Sequence, residues 1–209
     1  MQKYNKHKAH PWHGIDLGEN MPEQVTAFIE IVSLDTIKYE VDKSSGYLSI
    51  DRPQKFSNVV PALYGFLPQS YCGNKVAELT NAALNRTDIK GDCDPLDICI
   101  LTEKDVTHGD IIAQVRPIGG FRLLDQVQAD DKIIAVLLND MIYGDYTDIS
   151  QLPQPITNRL IHYFTTYKNL PMEGKQRMVL TGVYGKDTAH EVIRSAVEDY
   201  NTDIRPHLV

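Results

Sequence analysis

No stretch of the 209-residue sequence approaches the roughly 18 consecutive apolar residues that a membrane-spanning helix needs. The longest apolar runs, such as Ile133 to Leu138, are only strand-length, so no membrane partner is expected. The opening residues, MQKYNKHKAHPWHG, are polar and lack the apolar core of a secretory signal. Cysteine is scarce. Cys72, Cys93 and Cys99 form no CxxC pair, and an odd, sparse set suits a reducing cytoplasm better than a disulfide scaffold. A basic excess is missing too: the formal net charge is -7, which opposes nucleic-acid binding by phosphate neutralisation while leaving room for a local basic pocket. There is no internal repeat, no low-complexity segment and no βαβ rhythm, which argues against a Rossmann-type fold.

What is present is ordinary globular material, 42% hydrophobic and 23% charged, enough for one domain over residues 1–209 with a sizeable core. Residues 1–19 read as an irregular tail. His7, His10 and His13 in it could chelate a soft metal, but a mobile or docked tail is favoured. Gln24 to Ile50 reads as strands. IKYEVD alternates, with Lys38, Glu40 and Asp42 on one face and Tyr39 and Val41 on the other, and Ser44-Ser45-Gly46 turns it into a hairpin ended by Asp51-Arg52-Pro53. Residues 69–90 read as a polar surface excursion. Further strands are expected at Ile98–Thr102, Ile111–Pro117, Lys132–Leu138 and Arg177–Tyr184. One helix is expected from Pro155 to Asn169, and a second from an N-cap at Asp187. Short strands followed by two late helices imply an α+β domain on a small closed barrel.

The strongest local signal is Lys90-Gly91-Asp92-Cys93-Asp94-Pro95-Leu96-Asp97, three carboxylates running into an apolar strand. Extended backbone puts Asp92 and Asp94 on one face, and Pro95 can bend Asp97 back toward them. Such crowding costs energy unless a hard divalent cation neutralises it. A solvated acidic turn is the alternative. An EF-hand is excluded, because Leu96 and Asp97 stand where that loop wants Asp or Asn and then Gly. A second acidic set, Asp125, Asp130 and Asp131, precedes Lys132 and another apolar strand. Alone it reads as a solvated loop, but two acidic strand ends brought together by a barrel would suit phosphoryl transfer.

These segments, in their order, resemble the soluble family I inorganic pyrophosphatases. Asp92-Cys93-Asp94-Pro95-Leu96-Asp97 is similar to the family's D-x-D-P-x-D signature. Ile29-Glu30-Ile31, Ile37-Lys38-Tyr39-Glu40, Gly46 and Asp51-Arg52 resemble its first hairpin. Tyr64-Gly65, then Asp125, Asp130 and Lys132, then His162-Tyr163-Phe164 and Tyr167-Lys168 follow in register. The resemblance spans roughly Gln24 to Lys168 and implies a five-stranded OB-type barrel flanked by two C-terminal helices and loop excursions. It also implies Mg²⁺-dependent hydrolysis of pyrophosphate to two phosphates by in-line attack of a metal-activated water or hydroxide. Several Mg²⁺ ions would be held by Asp92, Asp97, Asp125, Asp130 and Glu30, with Mn²⁺ or Zn²⁺ as substitutes. Asp94 would be the general base. Lys38, Arg52, Tyr64, Lys132, Tyr167 and Lys168 would bind phosphate oxygens, with Glu40 in support.

Each residue also has a plainer reading by itself. Lys38 could face solvent, Arg52 could cap the hairpin, Tyr64 and Tyr167 could be core aromatics, Lys168 could pair with a helix dipole, and Glu30 could be an exposed strand position. A homo-oligomer is expected, with the excursion at 69–90 and Thr166 leaving the subunit number open. His162 is expected to pack or meet a neighbouring subunit, and Cys93 to be a bystander. A non-enzymatic metal-binding barrel and an oligonucleotide-binding barrel are the competing functions.

Overall fold

The computed structural model describes residues 7–168 and 177–208. In chain order its strands and α-helices are β1 (Val25–Ile31), β2 (Ile37–Val41), β3 (Leu48–Pro53), β4 (Leu63–Phe66), α1 (Asn74–Leu84), β5 (Lys90–Gly91), β6 (Asp97–Leu101), β7 (Ile111–Asp125), β8 (Gln128–Ala129), β9 (Lys132–Leu137), α2 (Gln154–Thr166), β10 (Met178–Gly185) and α3 (Lys186–Asp199). β1, β4, β6, β9 and β7 are hydrogen-bonded in that order, and the start of β7 returns to β1, with Val25 opposite Val115 and Ile29 opposite Ile111. The five strands therefore close into a ring, as expected of an OB-type barrel in an α+β domain, and closure removes the edges that would otherwise pair with other chains.

The pair β6–β9 is parallel, and both faces of it are buried. Ile98, Ile100, Ile133 and Ala135 join one core cluster, while Cys99, Leu101, Ile134 and Val136 join another. Ala189, Val192, Ile193 and Ala196 of α3 pack into the first, and Leu160 and Phe164 of α2 into the second. This double burial is why β6 and β9 read as continuous apolar runs. β1 and β4 approach so closely that a Cβ on Gly65 would lie 1.9 Å from the Phe28 carbonyl oxygen, beside a register shift between Ile29 and Ile31. Only glycine fits there.

β2 and β3 form the expected hairpin as a separate two-stranded sheet. Lys38 lies opposite Arg52 and Tyr39 opposite Ile50, so Asp51 is the extra residue of a bulge. In the turn, the Asp42 carboxylate accepts the Ser45 N–H and the Ser44 hydroxyl, each at 2.7 Å. Gly46 follows at φ 74°.

Four expectations need correction. Residues 69–90 are not simply a surface excursion: they contain α1, which buries Val76, Ala77 and Thr80. No local side chain caps α1. Asp199 does so from the far end of the chain, accepting the N–H of Gly73 at 3.0 Å, of Lys75 at 3.0 Å and of Val76 at 3.2 Å. The final helix begins at Lys186 rather than after a cap at Asp187. Its first N–H, from Lys186, is taken by Asp148 at 2.9 Å, again from a distant segment. The strand expected to stop at Pro117 runs on to Asp125, with Ile118, just after the proline, as the extra residue of a bulge opposite β9. The second half of β7 then pairs with β10. The helix expected to reach Asn169 ends at Thr166, and Asn169 lies outside the described residues. Among the described residues, no helix is long and apolar enough to cross a membrane.

Candidate active site

The two acidic segments meet at one end of the barrel because β6 and β9 run parallel: Asp97 opens one strand, Lys132 opens the other, and the two are Cα partners. The preceding loop is anchored by Leu96, fully buried, whose carbonyl accepts the Leu67 N–H at 2.9 Å and whose N–H donates to Ser70 Oγ at 2.9 Å. The bend that gathers its carboxylates lies at Cys93 (φ 65°) rather than at Pro95 alone, and Asp92 accepts the Asp94 N–H at 3.1 Å.

Around this point lies a cleft of about 280 Å³. Its walls include Glu30, Lys38, Glu40, Tyr64, Asp92, Asp94, Asp97, Asp125, Asp130, Lys132, Tyr167 and Lys168. Arg52 is not among the lining residues; its guanidinium donates to the Pro53 carbonyl at 3.3 Å and lies 3.8 Å from Asp51. Sequence reading missed Trp12, Lys43 and Gln128, which also line the cleft. It missed Arg177 as well, whose Nε donates to Asp125 Oδ1 at 3.0 Å. Lys43 had a signal, since it lies just past the polar face of an alternating strand. Trp12, in an irregular segment, had none. Asp131 parts company with the second acidic set. It turns from the cleft to accept the Tyr184 hydroxyl at 3.0 Å, and burial pushes its pKa up to about 6.

Lysines thread the carboxylates together. Lys132, 1% exposed, donates to both Asp97 and Asp130. Lys168 reaches Asp125 at 2.9 Å and Asp130 at 3.1 Å. Burial works against the charge on Asp130, yet Lys132 and Lys168 hold its pKa down to about 2. Asp92 goes the other way: burial, then the charge of Asp130, raises it to about 8. Glu30, buried in β1 rather than exposed, is also raised to about 8, by burial first and then by Asp97 and Glu40. Burial raises the Tyr64 and Tyr167 phenols, keeping them neutral hydrogen-bond donors.

The cleft wall thus carries seven carboxylates (Glu30, Glu40, Asp92, Asp94, Asp97, Asp125, Asp130) and four lysines (Lys38, Lys43, Lys132, Lys168). Oxygen donors without histidine or cysteine suit a hard divalent cation. Among the described residues no three such groups are arranged to close on one ion; the ammonium groups of Lys132 and Lys168 lie between them and take their lone pairs. The donor chemistry fits a divalent metal.

A closed barrel bearing an acidic cleft lined by lysines and buried phenols is the frame of a phosphoanhydride hydrolase. Comparison with known proteins narrows the class. Residues 27–201 match the family model described as inorganic pyrophosphatase. An inorganic pyrophosphatase of Chlamydia trachomatis is 51% identical over 196 residues, covering 92% of this chain and 94% of that protein. The crystal structure of an inorganic phosphatase from Anaplasma phagocytophilum has a TM-score of 0.75 at 29% identity, over 90% of this chain and 99% of that one. That of an inorganic pyrophosphatase from Thermus thermophilus has a TM-score of 0.76 at 25% identity, over 93% and 99%. The chain belongs to the inorganic pyrophosphatase family, and it is a diphosphatase enzyme.

Proposed function

We propose that this enzyme hydrolyses inorganic pyrophosphate to two orthophosphates in a Mg²⁺-dependent reaction, with Asp94 as general base. The reading rests on the charge of the cleft: of its seven carboxyl groups Glu30 and Asp92 hold protons in the metal-free protein, and the other five still outnumber the four lysines. A polyanion cannot enter such a cleft without accompanying cations. Bound Mg²⁺ supplies that positive charge, screens the phosphate oxygens and acidifies water; Mn²⁺ or Zn²⁺ offers the same chemistry. Glu30, Asp92, Asp97, Asp125 and Asp130 would hold it.

The chain's own groups do the rest. Lys132 and Lys168 turn from carboxylates to phosphate oxygens, joined by Lys38 and by the Tyr64 and Tyr167 hydroxyls. Arg52 joins them once it leaves Asp51, and Glu40 steadies Lys38. A water oxygen bonds to one phosphorus while the bridging P–O bond opposite breaks, and the departing phosphate keeps the electron pair. The water proton passes to Asp94, whose side chain is 54% exposed and so accessible to water. A cytoplasmic location is part of the proposal, supported by three free cysteines. So is a homo-oligomer, for which exposed Ile142 and Met141 offer apolar surface. Phosphate release from pyrophosphate is the test: Mg²⁺ should support it and EDTA abolish it, and undiminished turnover in EDTA would overturn the reading.

A further inference from the structure

Residues 8–17 lie outside the family match at 27–201, yet they build part of the cleft. The Trp12 carbonyl accepts the Gln69 N–H at 2.8 Å, and its indole N–H donates to the Ser70 carbonyl at 2.8 Å. Its ring, 5% exposed, packs with Phe28, Phe66 and Tyr200. Next to it, His13 Nδ1 lies 2.9 Å from the Tyr200 hydroxyl. The same segment presses on the β2–β3 turn: a Cβ on Gly46 would lie 2.8 Å from His10 Cδ2 and 3.0 Å from Pro11 Cδ. The segment is a strap that ties the hairpin turn to the barrel.

Lys43 stands on that turn. Its ammonium lies 6.0 Å from the centroid of the Trp12 ring and donates to the Asp94 carboxylate. Trp12, Lys43 and Asp94 all line the cleft. We infer that Lys43 is a further substrate-binding residue of this enzyme, and that Trp12 is the positioning residue that aims it. The inference rests on the pyrophosphatase reading above. The Lys43 ammonium occupies the Asp94 carboxylate before substrate arrives. Phosphate oxygens carry more charge than one carboxylate, so they draw Lys43 away and leave Asp94 free for water. Trp12 keeps the ammonium at the rim between its two partners, at the face of an aromatic ring that favours a cation.

The test uses the full chain with Mg²⁺ and compares Lys43→Met, Lys43→Arg, Trp12→Leu and the double variant Trp12→Leu/Lys43→Met. Lys43→Met should raise KM for pyrophosphate about tenfold, with kcat changing less, and Lys43→Arg should recover most of the loss. Trp12→Leu should raise KM in the presence of Lys43 but add nothing in the Lys43→Met background. Calorimetric binding of inorganic phosphate should weaken in the same order. Should Trp12→Leu fail to fold, Trp12→Phe keeps the ring and should keep the low KM, while Lys43→Met alone still decides the role of Lys43. A KM for Lys43→Met within about twofold of the parent, or a Trp12→Leu defect of equal size in both backgrounds, would overturn the inference. Absence of phosphate release by the parent enzyme would instead sink the pyrophosphatase reading.

Discussion

Glu30 in the barrel wall accepts the N–H of Val41 in the hairpin at 2.7 Å. The bond joins the two sheets whose meeting makes the cleft. Against that bond, burial first and then Asp97 and Glu40 raise the pKa of this carboxyl group, 8% exposed, to about 8. Asp92 shares that value, through burial and the charge of Asp130. In the metal-free protein these two groups keep their protons where most acids have lost them.

The consequence for stability has a definite sign. Between the ordinary carboxyl range and about pH 8, the folded state holds more protons at Glu30 and Asp92 than the unfolded state. Their contribution is complete in acid and lost as pH rises toward 8. Melting in EDTA should therefore show Tm falling as pH rises from about 5 to 8, and Glu30→Gln should flatten the trend. An unchanged slope in that variant would exclude Glu30 as its source.

Mg²⁺ should displace those protons. Titration near pH 7 in two buffers of different ionisation enthalpy should reveal proton release on binding, with affinity rising up to about pH 8. Binding with no proton released would contradict Glu30 and Asp92 as ligands.

Asp94→Asn should retain the fold and lose about hundredfold or more of kcat, because an amide takes up no proton near neutral pH. Circular dichroism and a steady-state phosphate assay check both halves. Turnover close to that of the parent would remove Asp94 from the mechanism.

Gly65→Ala should cost on the order of 4 kcal/mol or more, since its Cβ would fall 1.9 Å from a carbonyl oxygen in the β1–β4 contact. Gly182→Ala is the control: nothing lies within 4 Å of the added carbon. Urea unfolding of the two variants should differ sharply, and equal midpoints would refute the close-packing argument.

His13 has a pKa lowered to about 4, by burial and by His10. The unfolded chain therefore binds more protons at this residue between about pH 4 and 6.5, and the stability His13 contributes falls as pH drops through that window. His13→Gln should lose less stability than the parent on acidification from about pH 6.5 to 4, read as the difference between their melting curves. Parallel curves would show that the strap docks without regard to this imidazole.

Much of the chemistry was legible in the chain because its signals are local. Asp92, Asp94 and Asp97 lie within six residues, and β6 and β9 announce themselves as apolar runs. The hairpin follows from alternation and a Ser-Ser-Gly turn. Family resemblance then supplied the order in which distant pieces belong together.

Other features depend on partners that no window of sequence contains. α1 was missed because its cap, Asp199, comes from the far end of the chain. The plainer reading of Glu30 as an exposed strand position fails because strand periodicity cannot tell that both faces of β1 are covered. Asp131 was grouped with Asp130, but in the link between β8 and β9 the two diverge, Asp130 to Lys132 and Lys168 in the cleft and Asp131 to the buried Tyr184 hydroxyl. Trp12 sits in a segment without periodicity, and only docking against Ser70 and Tyr200 carries it to the site. By itself the sequence determined which carboxylates and cations were available and the strands that carry them, since composition and short-range pattern act through neighbouring residues. Tertiary structure decided which of them are buried, paired and protonated, because burial and charge coupling act through space rather than along the chain.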